Sequence, residues 1–268
     1  MPHLTTPGDA PPVGGAAGGR RERLTLGVPG CAHPMLAPME WGELSRPGLG
    51  AFPGPDGRSG PLHWAVLDVA GGPGSRPDPY CAPAASALRA SGVTLLGHLD
   101  MRDGARTFGE LVSEAHRFLE WYRADGFYLV RCPTGGEHLG ETRRVAATLR
   151  ALCEGGHIVL AHTSCGEHPH EGYAECADQL VTFCGSWAEY RWSQAAEWTA
   201  GHPPERFCHL VHSLPRTHLD EALRIASWQG AGTVCFTDRT TIRGQDPWDA
   251  LPGYWDEIVS RVGPGVSE

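Results

Sequence analysis

Cys184, His98, His162, His212, Arg131 and the aspartates Asp68, Asp100 and Asp238 each stand at or just beyond the end of a short apolar, β-prone run. Gathered in one place, such side chains could support several chemistries. Two carboxyls about 5–9 Å apart could share the acid and the base or nucleophile roles of glycoside hydrolysis. An aspartate in such a position can equally serve as a helix cap or loop organiser. Cys184 beside His162 or His212, with the Arg131 guanidinium favouring the thiolate, could be a nucleophile. Its structural alternative is a small apolar plug, since free cysteine is among the most buried residue types. Arg131 could grip a carboxylate or phosphate with its planar fork. Trp187 and Trp192 are the aromatic candidates for stacking on a sugar face or, as elsewhere, for packing against helices. His98-x-Asp100 and Cys165-x-x-His168-x-His170 contain metal-ligand types. The second group lies in a glycine- and proline-bounded stretch that reads as a solvated loop, so neither a metal nor a cofactor is expected.

Composition removes other classes. Lys+Arg total 22 against 31 Asp+Glu, a net charge of −9, and every basic residue is arginine. Without lysine there is no Schiff-base or P-loop chemistry. An acidic chain has no field to attract nucleic acid or an anionic membrane surface. The cysteines number 9, an odd and scattered set without a C-x-x-C pair. No apolar run reaches the length of a membrane span, and Met1–Gly19 lacks the apolar stretch of a signal peptide. The expectation is a cytoplasmic protein with reduced thiols that binds a small molecule or saccharide.

The elements that must position these residues repeat along the chain. β-prone runs occur at Leu24–Val28, Leu62–Val69, Val93–Leu99, Phe127–Val130, Ile158–Ala161, Leu180–Phe183, Phe207–His212 and Thr233–Thr237. Helical patterns lie between most of them. Thr107-Phe-Gly-Glu110 is a capping box opening a helix with Phe108, Leu111, Val112, Ala115, Leu119 and Tyr122 on one stripe. Asp246-Pro247 reads as the start of the last helix. Glycines at Gly92, Gly126, Gly155-Gly156 and Gly230 stand where helices should stop and turn into strands. Alternating strands and helices of this number predict a single (β/α)8 TIM barrel over residues 24–262, with a disordered tail at 1–23 and a short C-terminal tail at 263–268. In such a barrel the strand ends converge on one mouth, so Asp68, His98, Asp100, Arg131, His162, Cys184, Trp187, His212 and Asp238 are the expected ligand-binding set.

From Leu24 to Val262 the chain resembles the spherulin-4 (spherulation-specific family 4) proteins. The resemblance is carried by Gly27-Val-Pro-Gly30, Ala90-Ser-Gly-Val-Thr-Leu-Leu-Gly97, Trp121-Tyr-Arg-Ala-Asp-Gly126, Glu171-Gly-Tyr173 and Ala177-Asp-Gln-Leu-Val-Thr-Phe183. His202-Pro-Pro-Glu-Arg-Phe207, His209-Leu-Val-His212 and Pro247-Trp-Asp-Ala-Leu-Pro252 continue it in the same order. The resemblance implies a barrel related to glycoside hydrolases that cut galactosamine-containing polysaccharides. It also implies an Asp-Glu pair where this chain has Val130-Arg131, a glutamate where it has Cys184, and an Asn-Pro end to the fifth strand where it has Ala161-His162. Valine cannot serve as an acid, and arginine's fixed charge would oppose a developing sugar cation. The expected function is therefore a non-hydrolytic barrel binding a carbohydrate or anionic small ligand at its mouth. The alternatives are a residual glycosidase using Asp68, Asp100 and Asp238, and an enzyme built on Cys184 and His212.

Overall fold

A computed structural model describes residues 24–52, 59–162, 168–241, 244 and 246–262. The expected tails at 1–23 and 263–268 lie outside the described residues. All eight expected strands form: β1 (Thr25–Val28), β2 (Leu62–Leu67), β3 (Thr94–Asp100), β4 (Gly126–Cys132), β5 (His157–His162), β6 (Gln179–Ser186), β7 (Phe207–His212) and β8 (Thr233–Phe236). They are parallel and hydrogen-bonded in chain order. β1 pairs with β8 through Thr25 opposite Thr233 and Leu26 opposite Val234, which closes the barrel. The helices outside it are α1 (Pro38–Leu44), α2 (Cys81–Ala90), α3 (Phe108–Tyr122), α4 (Leu139–Leu152), the single turn α5 (Trp187–Tyr190), α6 (Leu219–Trp228) and α7 (Trp255–Val262).

Alternation along each strand sends one set of side chains to the barrel axis and the other to the helices. Trp64, Val66, Leu96, Tyr128, Val159, Ala161, Val181, Cys208 and Leu210 fill the interior. Trp64 supplies most of the bulk at the N-terminal end. A Cβ on Gly27 would sit 2.3 Å from its ring, so β1 passes the indole only because residue 27 has no side chain. The indole Nε1–H donates to Gln179 Oε1 at 2.7 Å, Gln179 Nε2 donates to Thr233 Oγ1 at 2.8 Å, and Thr233 meets Thr25 Oγ1 at 2.8 Å. This chain of hydrogen bonds satisfies the polar groups of the buried floor, where an unpaired one would be costly.

The capping box at the start of α3 forms as its sequence predicts: the Thr107 hydroxyl accepts from Glu110 N–H, and the Glu110 carboxylate accepts from Thr107 N–H. Two local expectations need correction. α3 ends at Arg123, itself left-handed at φ 55°, not at Gly126. Gly126 opens β4 and is needed for another reason, because a Cβ there would lie 1.9 Å from the His157 carbonyl oxygen of β5. Asp246-Pro247 does not start a helix. Asp246 Oδ1 accepts from Trp248 N–H and its carbonyl from Asp249 N–H, closing a turn. Pro252 disfavours helical geometry at Leu251, so α7 waits until Trp255. Residues 246–254 remain a loop, and Ala32 N–H donates to the Asp249 carbonyl at 2.8 Å, tying that loop to the segment after β1.

Candidate functional site at the barrel mouth

A cleft of about 410 Å³ opens at the C-terminal ends of the strands. Of the expected set, Asp68, His98, Arg131, His162 and Cys184 line it. Asp100 stands beside it through its pairing with Arg131, whereas Trp187, His212 and Asp238 are not part of its lining.

The positions where the family resemblance places carboxylates are all on the cleft wall, as Val130, Arg131 and Cys184. Val130 and Cys184 pack with Trp248 and Cys235 against the barrel's inner core. Arg131 sits at an irregularity in the β4–β5 ladder and is left-handed, with φ 50°. Its guanidinium engages Asp100 at two points, Nε to Oδ1 at 2.8 Å and Nη2 to Oδ2. Burial alone would raise the Asp100 carboxyl, but the Arg131 hydrogen bond, the Arg102 N–H and the Arg131 charge hold it below the usual aspartate value. One bidentate edge of the guanidinium, Nε with Nη2, is thus occupied by a protein carboxylate.

Asp68 follows β2. Its Oδ1 accepts from Gly72 N–H at 2.7 Å, and its Oδ2 lies 3.8 Å from His98 Nδ1. That ring nitrogen is buried and has no hydrogen-bond partner. His162 Nδ1 faces the Cys132 and Pro133 carbonyls at 3.2 and 2.9 Å, which places the ring proton on Nδ1. Burial lowers the pKa of His162 to about 4 despite those carbonyls, so the imidazole is neutral in ordinary buffers, with Nε2 buried and unpartnered. His212 is half-buried with Nδ1 3.0 Å from Ser213 Oγ, and burial lowers its pKa too. Burial makes both histidines weaker bases than a free imidazole, and the Arg131 charge is paired with that of Asp100.

The remaining expected residues serve other parts of the fold. Asp238 Oδ1 accepts from Gly253 N–H at 3.1 Å and organises the loop after β8. Trp187 is only 6% exposed and packs between Tyr190 and His218. Trp192, in contrast, is 79% exposed and does not line the cleft. Of the two metal-ligand patterns, Asp100 is taken by Arg131, and Cys165 falls outside the described residues while His168 and His170 are exposed.

Three residues that line the cleft were not legible as site residues: Asp246, Trp248 and Asp249, all in the loop between β8 and α7. The Asp-Pro pair has the residue types of a helix start, but loops that follow strands in this fold face the mouth, and that rule is the signal that places these residues there. Burial raises the Asp249 carboxyl above the ordinary aspartate value, and the negative charges of Asp246 and Asp68 raise it further. Cys31 and His33, just after β1, complete this side of the wall. The cleft is therefore acidic, with Asp68, Asp246 and Asp249 around one indole.

A closed eight-stranded parallel barrel with a polar cleft at the C-terminal mouth makes this chain a (β/α)8 protein. The chain belongs to spherulation-specific family 4, whose family model matches residues 63–262. Among solved structures, the crystal structure of Aspergillus clavatus Sph3 in complex with GalNAc is similar with a TM-score of 0.72 at 21% identity, covering 90% of this chain and 98% of that one. An FMN-binding β-glucuronidase from Facaelibacterium prausnitzii L2-6 gives a TM-score of 0.48 at 9% identity, over 87% of this chain and 41% of that one. No curated protein matches the chain.

Proposed function

We propose that this protein binds a saccharide in the cleft at the barrel mouth and does not hydrolyse it. The carrying observation is the cleft wall itself, where Val130, Arg131 and Cys184 stand in place of carboxylates and the Arg131 fork is closed on Asp100. Trp248 offers an apolar face, and Asp68, Asp246 and Asp249 offer acceptors for hydroxyl or ammonium groups. Those acids oppose an anionic ligand, so a neutral or amino sugar suits the cleft better than a phosphate or uronate. The Sph3 structure, solved with GalNAc, supports a hexosamine as the first ligand to try.

A second reading has its own observation. Asp249, raised above the usual range, shares the cleft with Asp68. Two carboxyls flanking one ligand are the parts a glycosidase uses. Asp100 and Asp238 do not join them, for the reasons above. Calorimetric titration with GalNAc and with galactosamine oligosaccharides, run beside a reducing-end release assay, separates the two. The expected result is saturable binding without release. Release that disappears in Asp249→Asn would overturn the non-hydrolytic reading in favour of the second.

A further inference from the structure

At the rim of the cleft a cluster that shares His33 with the cleft wall brings together three metal-ligand types. His33 lies in the loop after β1, and Asp78 and Cys81 flank the start of α2. Cys81 Sγ is 3.3 Å from His33 Nε2, and Asp78 Oδ1 is 3.4 Å from the same nitrogen. All three ligand atoms lie within 4.8 Å of one another. We propose that His33, Asp78 and Cys81 form a site for a divalent cation of the zinc class.

Two arguments lead there. The first is dimensional. Zinc holds sulfur at about 2.3 Å and nitrogen or oxygen at about 2.0–2.2 Å in a tetrahedron, so neighbouring ligand atoms sit roughly 3.3–3.7 Å apart, the edges to sulfur being the longer. The His33–Asp78 edge of 3.4 Å has that length, and the His33–Cys81 edge of 3.3 Å needs only a small opening to reach it. The second is convergence. Cys81 Sγ and Asp78 Oδ1 both approach Nε2, and the Cys81 thiol also donates to the Asp78 carboxylate, so the three groups meet at one point. A cation at the centre of the triangle would replace the thiol and imidazole protons and be held by sulfur, nitrogen and oxygen together. Thiolate, imidazole and carboxylate form a mixed donor set suited to borderline-soft ions rather than to calcium or magnesium.

Three protein ligands leave a fourth tetrahedral position for water, beside the cleft that His33 lines. The side chains of His33 and Asp78 are 20% and 25% exposed, which gives the ion a way in. Asp78 Oδ1 already accepts from Tyr80 and Cys81 N–H at the turn into α2, so its carboxylate is held in place before loading. Ligation through Nε2 moves the ring proton to Nδ1, which now accepts from Met35 N–H at 3.2 Å. The exposed turn at Met35 must therefore shift when the ion binds.

The test uses the full chain, stripped with a chelator, kept reduced and titrated with cobalt(II). A stoichiometric near-ultraviolet thiolate-to-cobalt charge-transfer band with tetrahedral visible bands is expected, and zinc should displace it. Cys81→Ser should abolish the charge-transfer band, and Cys165→Ser should leave it intact. Because Cys81 is buried, His33→Ala is run in parallel; this loop variant should keep the metal-free melting temperature and lose stoichiometric binding. No band in the wild type, a band that survives Cys81→Ser, or binding unaffected by His33→Ala would each overturn the site. None of these readouts depends on saccharide binding, so the two proposals stand or fall separately.

Discussion

At the scale of single residues, the decisive feature is how Arg131 and Cys184 are partnered. Arg131 is paired with Asp100, and Cys184 lines the same cleft. Iodoacetamide labelling followed by mass spectrometry should show Cys184, half-buried in the cleft, modified ahead of the buried Cys132 and Cys208. A bound saccharide should protect it, and Arg131→Ala should leave its rate unchanged. A hyperreactive thiol slowed by Arg131→Ala would instead restore the cysteine-enzyme reading. Asp100 supplies a linked test. Its folded pKa lies below the unfolded value, so its contribution to stability is present above about pH 4, the ordinary aspartate range, and is lost as pH falls through the folded pKa. In Arg131→Ala the Asp100 carboxyl should titrate at higher pH by NMR, and the acid-side loss of stability should be smaller.

At the scale of elements, the barrel depends on local signals of two kinds. Capping is the first. Thr107→Ala removes the hydroxyl that accepts from Glu110 N–H and should cost about 1 kcal/mol in urea unfolding, with the cleft unaltered. Close approach between strands is the second. Gly126→Ala places a Cβ against the His157 carbonyl and should cost about 3 kcal/mol or prevent folding, because backbone cannot move aside as a side chain would. The β8–α7 loop shows the limit of local signals. Asp246-Pro247 carries the residue types of a helix start, yet Pro252 and the tie from Ala32 to Asp249 keep the segment a loop at the mouth. What the local pattern offered as a cap, the tertiary contact used as a wall of the site.

For the molecule as a whole, buried histidines set the response to acid. Burial lowers His162 to about 4, and burial together with the nearby His157 lowers His63 to about 4. His63 and His157 face each other at the floor with ring centroids 4.8 Å apart. Between about pH 6.5 and 4 the unfolded chain binds protons that the folded chain refuses, so stability rises with pH across that window. Urea unfolding at a series of pH values should show a loss on the order of 3 kcal/mol from His162 alone by pH 4, where its shift from the ordinary value is complete. A flat profile between pH 7 and 5 would contradict the buried neutral state. The acidic cleft adds a charge preference, with galacturonate binding more weakly than GalNAc and the difference shrinking as salt rises.

The order of strands and helices, the capping box of α3 and the barrel itself were written in hydrophobic period and turn residues, because each depends on contacts within one βα unit or on the few ways such units can pack. Asp68, His98, Arg131, His162 and Cys184 could be placed at the mouth on the same grounds, since strand polarity alone sends their positions there. Tertiary structure decided the rest. Whether Arg131 is a ligand fork or half of an ion pair depended on Asp100, a residue 31 positions away on the neighbouring strand. The acids Asp246 and Asp249 entered the site because a loop was tied across the mouth, and His33 met Asp78 and Cys81 because β1 and β2 are neighbours in a closed sheet. A sequence fixes which groups stand at the strand ends. Only the folded chain fixes which of them use each other up and which are left for a ligand, because hydrogen bonds and charges act across distances that only the packed barrel makes short.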